Sequence, residues 1–417
     1  MKFCYFLNLL FLSNCVIKFH FKKKYKPSDI NEKFDYYQYL TNNDLITEIS
    51  IGTPPQKIPV TINYYSEPFY LTKPSSQGKF SHEQSKTFYS NFTEVQFSKM
   101  KGYIAKDSIN LNFQNEKKNK EELIEDISFS YIIEPNASKI NFGSIGLTFL
   151  SYSNFKDLNL VFQLKKKELI ENYGFQFIYL NDIEGDVYLG QYPHEYNKSY
   201  YDNIDFFHIK VSVPGVWSST FQNVSYGNEV ISQENHFTLN NTLGGIIGNR
   251  CLFVLINKYF FNNPDITKGK CKTVYQYEYN FFECESDVDI KQFQNLQFYS
   301  KELNYTFVLT YEDLFEVING KIYCKLIFKN EMSSAWYLGQ PFLKKYLITF
   351  DQDKKLFGFY KKFKDKKSFF TLSTFFVFVL IIVISILIII LFKYINKKPR
   401  KIRANELEEN IDYAPFK

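Results

Sequence analysis

Two polar loops, each at the end of a predicted strand, contain the residues best suited to chemistry. The first loop begins at Asn63, after a turn signature at 52–55 and a β-rich run from Lys57 to Ile62. The second begins at Asn240, directly after Phe237-Thr238-Leu239. A side-chain amide donates and accepts hydrogen bonds, but it is neutral and does not exchange a proton in the useful pH range. These asparagines are therefore suited to binding and cannot act as general bases.

The approach to the first loop resembles a known active-site segment. Ile51-Gly52-Thr53-Pro54, followed by Gln56, is similar to the run that precedes the first catalytic Asp-Thr-Gly-Ser of pepsin-like aspartic peptidases. The spacing from Gly52 to Asn63 equals the family spacing. The resemblance therefore places Asn63-Tyr64-Tyr65 where the family has Asp-Thr-Gly, with Ser66 following.

The second loop departs from the family pattern in the same way. Trp217 resembles the start of the family's second lobe, and Asn240-Asn241-Thr242 stands where the second Asp-Thr-Gly belongs. Counting back from Asp107, the flap Tyr-Gly pair of the family falls near Val95-Gln96, and neither residue is present. The resemblance assigns as cleft neighbours Tyr64, Tyr65, Ser66, Val95, Gln96, Asn241 and Thr242.

The missing residues are the ones that the chemistry requires. Aspartic peptidases hold two carboxylates about 3 Å apart, which share a proton and activate a water molecule. Asn63 and Asn240 can do neither, so no catalytic residue of the family is intact. Glu67 and Asp351 are the carboxylates to consider as substitutes, but Glu67 lies past the catalytic position and Asp351 belongs to a strand signature. The resemblance implies no cofactor and no metal.

The rest of the chain predicts an all-β, bilobal, pepsin-like fold. Short β-rich runs alternate with turns and polar loops from Tyr39 onward. We expect a hairpin over Phe92–Asn112, an amphipathic helix over Asp157–Ile170 and a strand pair over Gly174–Gly190. The segment Trp336-Tyr337-Leu338-Gly339 through Gly358-Phe359 resembles the last signature of the family closely. The predicted organisation is a signal peptide (1–18), a short basic pro-segment or exposed linker (19–40), an N-terminal lobe (41–205), a C-terminal lobe (206–362), a transmembrane helix (369–392) and a cytoplasmic tail (393–417).

The membrane prediction depends on two apolar segments. Phe3–Leu12 follows Met1-Lys2 as a secretory signal does, and Phe369–Phe392 has no charged residue over a length that can span a bilayer core of about 30 Å. Together they predict a type I membrane protein whose body is luminal or extracellular, in the secretory or endosomal pathway or at the cell surface. Tyr413-Ala414-Pro415-Phe416 fits a tyrosine-based sorting signal or a disordered tail.

Cysteines and glycosylation sequons agree with export. Four cysteines follow the predicted signal, namely Cys251, Cys271, Cys284 and Cys324, and an even number favours disulfides. The family resemblance implies a Cys284–Cys324 bond, and Cys251 and Cys271 could pair separately. No Cys-x-x-Cys occurs and histidine is scarce, which argues against a zinc site. Sequons occur at Asn91, Asn136, Asn197, Asn223 and Asn304.

Other function classes lack their signals. The net charge of +6 is small for 417 residues, and no nucleic-acid footprint is present. No Gly-x-Ser-x-Gly, His-Glu-x-x-His or phosphate-loop motif occurs, and His208 and His236 are interpreted as structural or surface residues.

Three functions remain, and each is predicted for a monomer. The first is a non-catalytic, membrane-tethered protein whose cleft binds a peptide or a partner protein. The second is an active aspartic endopeptidase with an unconventional dyad. The third is a structural surface glycoprotein that kept the β-rich body and abandoned the cleft.

Overall fold

The protein was analysed as a computed structural model, which describes residues 16–31, 33–63, 68–73, 80–97, 100–114, 119–134, 143–147, 156–199, 201–213, 215–329, 335–361 and 372–396. Two compact units are distinguished, Met1–Phe363 and Lys364–Lys417. Of the predicted signal peptide, residues 1–15 lie outside the described ranges.

The described strands form two large sheets. The first contains β1 (Val16–Lys23), β2 (Leu45–Ile51), β3 (Gln56–Asn63), β4 (Tyr70–Thr72), β5 (Tyr89–Phe97), β6 (Met100–Gln114), β7 (Asn119–Glu134), β8 (Gly143–Gly146), β9 (Gly174–Tyr179), β10 (Glu184–Leu189) and β11 (Phe206–Lys210). The second contains β12 (Ser218–Tyr226), β13 (Glu229–Leu239), β14 (Ile246–Gly248), β15 (Cys271–Gln276), β16 (Tyr279–Glu285), β17 (Leu296–Ser300), β18 (Tyr305–Leu309), β19 (Phe315–Ile318), β20 (Lys321–Cys324), β21 (Leu326–Lys329) and β22 (Trp336–Leu338). The chain then returns to the first sheet with β23 (Thr349–Asp351) and β24 (Leu356–Tyr360).

The described helices are mostly short. They are α1 (Lys33–Thr41), α2 (Leu160–Lys166), α3 (Pro193–Tyr196), α4 (Arg250–Ile256), α5 (Pro264–Thr267), α6 (Tyr311–Leu314), α7 (Gln340–Tyr346) and α8 (Leu372–Asn396). A π-helical turn, Asn257–Phe261, continues α4. Single 3-10 turns occur at Pro27–Asp29, His82–Gln84, Lys156–Leu158, Asn203–Asp205 and Ile290–Gln292. This strand-dominated, bilobal, pepsin-like architecture confirms the predicted fold class.

The same arrangement of strands recurs in both lobes. In the first sheet, β3 runs parallel to β8, so that Asn63 lies opposite Gly146. In the second sheet, β13 runs parallel to β22, with Leu239 opposite Leu338. In each lobe, the strand that leads into a candidate loop ends beside a second strand that has a glycine at its carboxyl end. This glycine is Gly146, the last residue of β8, in the first lobe and Gly339, directly after β22, in the second. This repetition is what a duplicated bilobal fold predicts.

Alternating side chains explain why β3 forms where the sequence predicts a strand. Ile58, Val60 and Ile62 are buried, and the residues between them are partly exposed. A strand turns successive side chains to opposite faces, so this pattern buries one face of β3 in the core. The strand therefore delivers Asn63 to a fixed place at the carboxyl end of a packed sheet.

Two other predicted elements are confirmed and one is shorter than expected. The hairpin is formed by β5 and β6, and the strand pair by β9 and β10. The helix expected over Asp157–Ile170 is divided instead. Asn159 accepts a hydrogen bond from the Phe162 backbone N–H and caps α2, so the turn before it stays separate.

The disulfide pairing differs from the prediction. Cys284 is bonded to Cys271 and not to Cys324, while Cys251 is a free exposed thiol and Cys324 a free buried one. The reason is strand register. Cys271 lies directly opposite Cys284 on β15 and β16, with their Cα atoms 4.1 Å apart. On the other side of β16, Cys284 lies opposite Ile322, so Cys324 is displaced by two residues.

The segment before the first lobe is not an exposed linker. Residues 16–23 form β1, which lies between β2 and β10 in the first sheet. Helix α1 follows, and its residues Tyr36, Tyr39 and Leu40 are buried. The Lys-rich composition suggested an exposed linker, and this interpretation is wrong because the segment forms a strand of the sheet and a helix with buried aromatic side chains. Whether the segment is a removable pro-segment stays a prediction.

Helix α8 is the carboxyl-terminal element described. Its side chains are described from 381 to 393, where they are exposed and, apart from Ser385 and Lys393, apolar. Within the described residues, no helix combines the length and the apolarity that crossing a membrane requires. The transmembrane helix expected over 369–392 stays a prediction.

Candidate functional site

Asn63 is the last residue of β3, and its backbone is held by the neighbouring strand. The Leu147 N–H donates to the Asn63 carbonyl oxygen at 2.9 Å, directly after β8 ends. This bond continues the parallel β3–β8 ladder and fixes the start of the first loop. The sequence correctly places Asn63 at the end of a buried strand. The following residues Tyr64, Tyr65, Ser66 and Glu67 lie outside the described ranges.

Asn240 begins the second loop and closes it locally. Its backbone N–H donates to the Leu338 carbonyl at 2.9 Å, as the β13–β22 ladder predicts. Its side-chain oxygen accepts from both the N–H and the hydroxyl of Thr242, each at 2.9 Å. The Asn240 side chain therefore forms an Asx-type turn with Thr242, and the two hydrogen bonds hold the amide in place.

Asn241 connects the two lobes. Its side chain is fully buried and donates from Nδ2 to the Ile62 carbonyl oxygen at 3.1 Å. Ile62 immediately precedes Asn63, and Asn241 immediately follows Asn240. One buried hydrogen bond therefore joins the two loops, and it brings together the two positions that the sequence assigned to the site.

Two further buried amides complete the centre, and sequence reasoning missed both. Gln340, the first residue of α7, donates from Nε2 to the carbonyls of Asn43 and Asn241 at 3.2 and 3.0 Å. The Asn43 N–H donates to the Thr242 carbonyl at 2.8 Å. The available signal was Gln340 itself, which stands where the family signature has Asp. Among the described contacts, the centre is thus built from amides and backbone groups.

Some atoms of this amide centre are buried without a described partner. They are Asn43 Nδ2, Asn241 Oδ1 and Gln340 Oε1. An unpaired buried amide costs free energy but does not ionise, whereas a carboxylate in the same place would change its charge with pH. The side-chain amides of the centre therefore stay neutral across the working pH range.

The end of helix α1 lies directly on the second loop. The Gly245 N–H donates to the Leu40 carbonyl at 3.3 Å, beside the bond from Asn43 to Thr242. At Gly244, an added Cβ atom would lie 2.2 Å from the Tyr39 carbonyl oxygen, so only glycine permits this approach. The chain's own residues 39–43 therefore cover part of the second loop.

An aromatic cluster anchors α1 to the C-terminal lobe. Tyr36 is fully buried against Tyr323 and Phe281, with ring centroids 4.2 and 5.3 Å apart. Its hydroxyl donates to the Cys324 carbonyl at 3.3 Å. We refer below to the α1 cluster, whose buried members are Ile30, Tyr36, Tyr39, Leu40, Leu243, Ile247, Val274, Phe281, Ile318, Tyr323 and Ile327.

Tyr39 adds a charged partner to this contact. Its hydroxyl donates to Glu316, at 3.0 Å from the nearer carboxylate oxygen, and Lys325 lies 3.2 Å from the same carboxylate. Burial raises the pKa of Tyr39 above its ordinary value, and the Glu316 charge raises it further. Tyr39 therefore stays protonated and acts as a hydrogen-bond donor.

The remaining predicted site residues lie on the β5–β6 hairpin. Val95 is buried opposite Gly102, and Gln96 is exposed opposite Lys101. The assignment of these two residues to the flap of the family stays a prediction. Asp351, the other candidate carboxylate, is the last residue of β23. It accepts hydrogen bonds from the Tyr192 hydroxyl and from the Lys354 N–H in the turn that follows β23. These partners give Asp351 a structural role.

No metal-binding group of three His, Cys, Asp or Glu side chains occurs among the described residues.

The fold and the paired loops together define a bilobal pepsin-like protein with amides at its centre. Residues 44–362 match the family described as eukaryotic aspartyl protease, which is more than half of the chain. The protein belongs to this family. It is also 25% identical over 334 residues to pregnancy-associated glycoprotein 1 of Ovis aries, with 75% of this chain and 80% of that protein covered.

Replacing Asn241 by Ala should weaken the connection between the lobes. The substitution removes the donor to the Ile62 carbonyl and leaves that oxygen buried without this partner. We expect a loss of about 1–3 kcal/mol in the free energy of unfolding, measured by denaturant titration. The matched control is Asn241→Thr, which supplies a hydroxyl donor and should lose less. Equal losses for the two variants would show that the hydrogen bond contributes little.

Proposed function

We propose that this protein is a non-catalytic, membrane-anchored member of the aspartyl protease family that binds a peptide or protein segment in its interlobe cleft. The observation that carries the proposal is the amide centre. Asn63 and Asn240 stand where the family resemblance places the two catalytic residues. Asn43 and Gln340 donate to backbone carbonyls of the second loop, and Asn241 of that loop donates to the Ile62 carbonyl. Neutral amides bind polypeptide backbone but do not activate water.

An unconventional carboxylate pair is the competing enzymatic hypothesis. It would need two titratable groups within hydrogen-bonding distance of one water molecule. Asp351 is unsuited because Tyr192 and the Lys354 backbone already occupy it, and it lies in β23 rather than in either loop. The amide centre therefore favours binding over hydrolysis.

The docking of α1 indicates what kind of segment the C-terminal side of the cleft accepts. This side already holds a short helix through buried Tyr36 and Leu40. The Gly245 N–H donates to the Leu40 carbonyl, and the Thr242 carbonyl accepts from the Asn43 N–H just after the helix. A ligand for the same surface would be a segment with aromatic and apolar side chains that competes with residues 36–43. The second candidate function is a structural glycoprotein in which residues 36–43 cover the second loop permanently and no ligand binds.

The carboxyl-terminal segment supports a membrane anchor. The sequence of 369–392 is free of charged residues, and the described side chains of α8 from Ile381 to Phe392 are exposed. A run of exposed apolar side chains is unfavourable in water and favourable in lipid. Basic residues flank the segment on both sides, so the predicted signal peptide supports a body in the lumen or outside the cell and a tail in the cytoplasm.

Glycosylation of the exported body is part of the same proposal. Asn91 and Asn304 are exposed, and Asn197 and Asn223 are partly exposed, so these four sequons are sterically available. Asn136 lies outside the described ranges. The relative in Ovis aries is a glycoprotein by name. The Asn240 sequon is held by Thr242 inside the second loop, which disfavours its modification.

The test of the proposal is a cleavage and binding assay on purified full-length protein. The protein is incubated with a diverse peptide library between about pH 3 and pH 8, a range that includes the upper pKa of a pepsin-type dyad. We expect no cleavage at any pH, and enrichment of aromatic-rich peptides on the immobilised protein. Cleavage that an aspartic-peptidase transition-state mimic abolishes would overturn the proposal, and absence of both cleavage and enrichment would favour the structural role.

A companion variant, Asn63→Asp with Asn240→Asp, separates two causes of inactivity. If it cleaves peptides, the loops still hold a dyad geometry and the missing carboxylates alone explain the inactive state. If it folds but does not cleave, the surroundings of the centre have also diverged.

A further inference from the structure

The outer strand β5 of the first sheet carries a glycosylation sequon in an exposed bulge. Among the described strands, β5 pairs only with β6. The pairing is interrupted between Ser90 and Glu94, whose partners on β6 are only two residues apart. Residues 91–93 therefore lie opposite a single residue of β6 and form a bulge. These three residues are the sequon Asn-Phe-Thr, and all of them are exposed.

Hydrogen bonds within the bulge hold the asparagine in place. The Thr93 N–H donates to the Asn91 side-chain oxygen at 3.1 Å, and the Phe92 N–H donates to the Ser90 hydroxyl, also at 3.1 Å. Phe92 has a φ of 55°, in the left-handed region that bulky residues rarely adopt. Its ring packs edge-on against Tyr103, with the ring centroids 5.6 Å apart. The backbone of the sequon is therefore fixed, and the exposed Asn91 amide is presented at the edge of the sheet.

An exposed tyrosine precedes the sequon on the same strand. Tyr89 stands two residues before Asn91, and its side chain is 62% exposed. Pairing with β6 is regular through Tyr89 and Ser90, and alternate residues of a strand turn their side chains to the same face. The strand therefore turns Tyr89 and Asn91 to one side. There the phenol ring offers an uncovered apolar face to whatever is attached to the asparagine.

The other accessible sequons lack such a neighbour. Two positions before Asn197 and before Asn304, the chain has a glutamate. The aromatic residue at the same distance before Asn223 is Phe221, which is 1% exposed and belongs to the hydrophobic core. Among the accessible sequons, Asn91 is therefore the one that follows an exposed aromatic ring by two residues.

We propose that Asn91 carries an N-linked glycan whose first N-acetylglucosamine packs on the Tyr89 ring and covers the bulged edge of β5. The Asn91 Nδ2 atom bonds to C1 of this sugar, the bond from C1 to the pyrophosphate of a lipid-linked oligosaccharide breaks, and one Nδ2 proton leaves with the lipid pyrophosphate. The apolar C–H face of the sugar then packs on the electron-rich face of the ring. A covered outer strand is also protected from pairing with other chains. This site rests on the glycosylation in the proposed function and is independent of binding in the cleft.

The experiment is hydrogen exchange of the full-length protein, purified from a eukaryotic host and trimmed with an endoglycosidase that leaves the first N-acetylglucosamine. Mass spectrometry of glycopeptides first measures the occupancy of Asn91 and Asn304. We expect Asn91 to be modified, and Thr93→Ala to remove its sugar and to raise the exchange rate of the β5 amides by about fivefold. Thr93→Ser preserves the sequon and Thr306→Ala deletes the Asn304 sequon, so both are controls that should leave β5 exchange unchanged.

Variants of Tyr89 test whether the ring holds the sugar. Tyr89→Ala should raise β5 exchange about as much as Thr93→Ala does, and the two changes together should add little, because both remove the same contact. Tyr89→Phe keeps the ring face and should behave like the wild-type protein. Unchanged β5 exchange in Thr93→Ala, additive effects of Tyr89→Ala and Thr93→Ala, or sugar on Asn304 but not on Asn91 would overturn this site alone. Absence of sugar from every sequon would also contradict the glycosylation in the proposed function.

Discussion

Replacing Tyr36 by Ala is expected to detach helix α1 from the C-terminal lobe. Tyr36 is fully buried, packs against Tyr323 with ring centroids 4.2 Å apart, and donates to the Cys324 carbonyl. Truncation of a large buried aromatic side chain costs about 3–5 kcal/mol, because contacts are lost and a cavity remains. A short helix contributes little stability of its own, so the loss should fall mainly on its docking.

Hydrogen exchange of the backbone amides measures this effect. Residues 36–43 and the loop from Asn240 to Gly245 should exchange faster in Tyr36→Ala than in the unmodified protein, since the two segments bond to each other. Tyr37→Ala is the matched control on the same helix, where the side chain is only partly buried, and it should change exchange much less. Protection that is equally strong in all three proteins would show that the Tyr36 contacts do not hold α1 in place.

Replacing Lys23 by Met is expected to stabilise the protein most strongly in acid. The Lys23 side chain is buried on β1, and burial, together with the nearby Lys325 charge, lowers its pKa to about 7. The negative charges of Asp182 and Glu316 raise the Lys23 pKa, and the positive charge of Lys344 lowers it, as that of Lys325 does. In the unfolded chain, Lys23 stays protonated up to a pH near 10.5. Burying its charge therefore costs the folded state the full free energy below about pH 7, and this cost decreases to zero as the pH rises toward 10.5. Stability should therefore rise with pH across this interval.

The Lys23→Met variant removes that cost, and the gain has a definite pH profile. We expect the free energy of unfolding to increase by on the order of 4 kcal/mol near pH 6 and about 2 kcal/mol near pH 9, as each pKa unit corresponds to about 1.4 kcal/mol. Lys22→Met, an exposed neighbour on the same strand, is the control and should give a small change at both pH values. A gain that is the same at both pH values would show that the buried charge is not its cause.

Local sequence was sufficient for much of the fold. The turn and strand around Gly52 and Asn63, the β5–β6 hairpin and the β9–β10 pair are each specified by turn residues and alternating side chains within one short stretch. The family spacing also placed Asn63 and Asn240 correctly at the ends of two equivalent strands. These features depend on neighbours in sequence, and a single chain is enough to predict them.

The disulfide and the start of the chain could not be predicted in this way. Cys284 bonds to Cys271 because β15 and β16 pair in a register that sets the two residues opposite each other, and register is a property of the assembled sheet. Residues 16–41 have a basic composition that suggests solvent exposure. Their burial follows from partners more than 200 residues away, such as Phe281 and Tyr323, which sequence proximity does not indicate.

By itself, the sequence predicts that the family's two catalytic carboxylates are absent, because this prediction needs only the residue types at a fixed spacing. The tertiary structure alone decided what surrounds those positions. Asn43 and Gln340 reach the second loop from distant parts of the chain, and Asn241 reaches across to Ile62. Each of these contacts joins residues that are far apart in sequence, and only the packing of two lobes and α1 brings their amides within hydrogen-bonding distance.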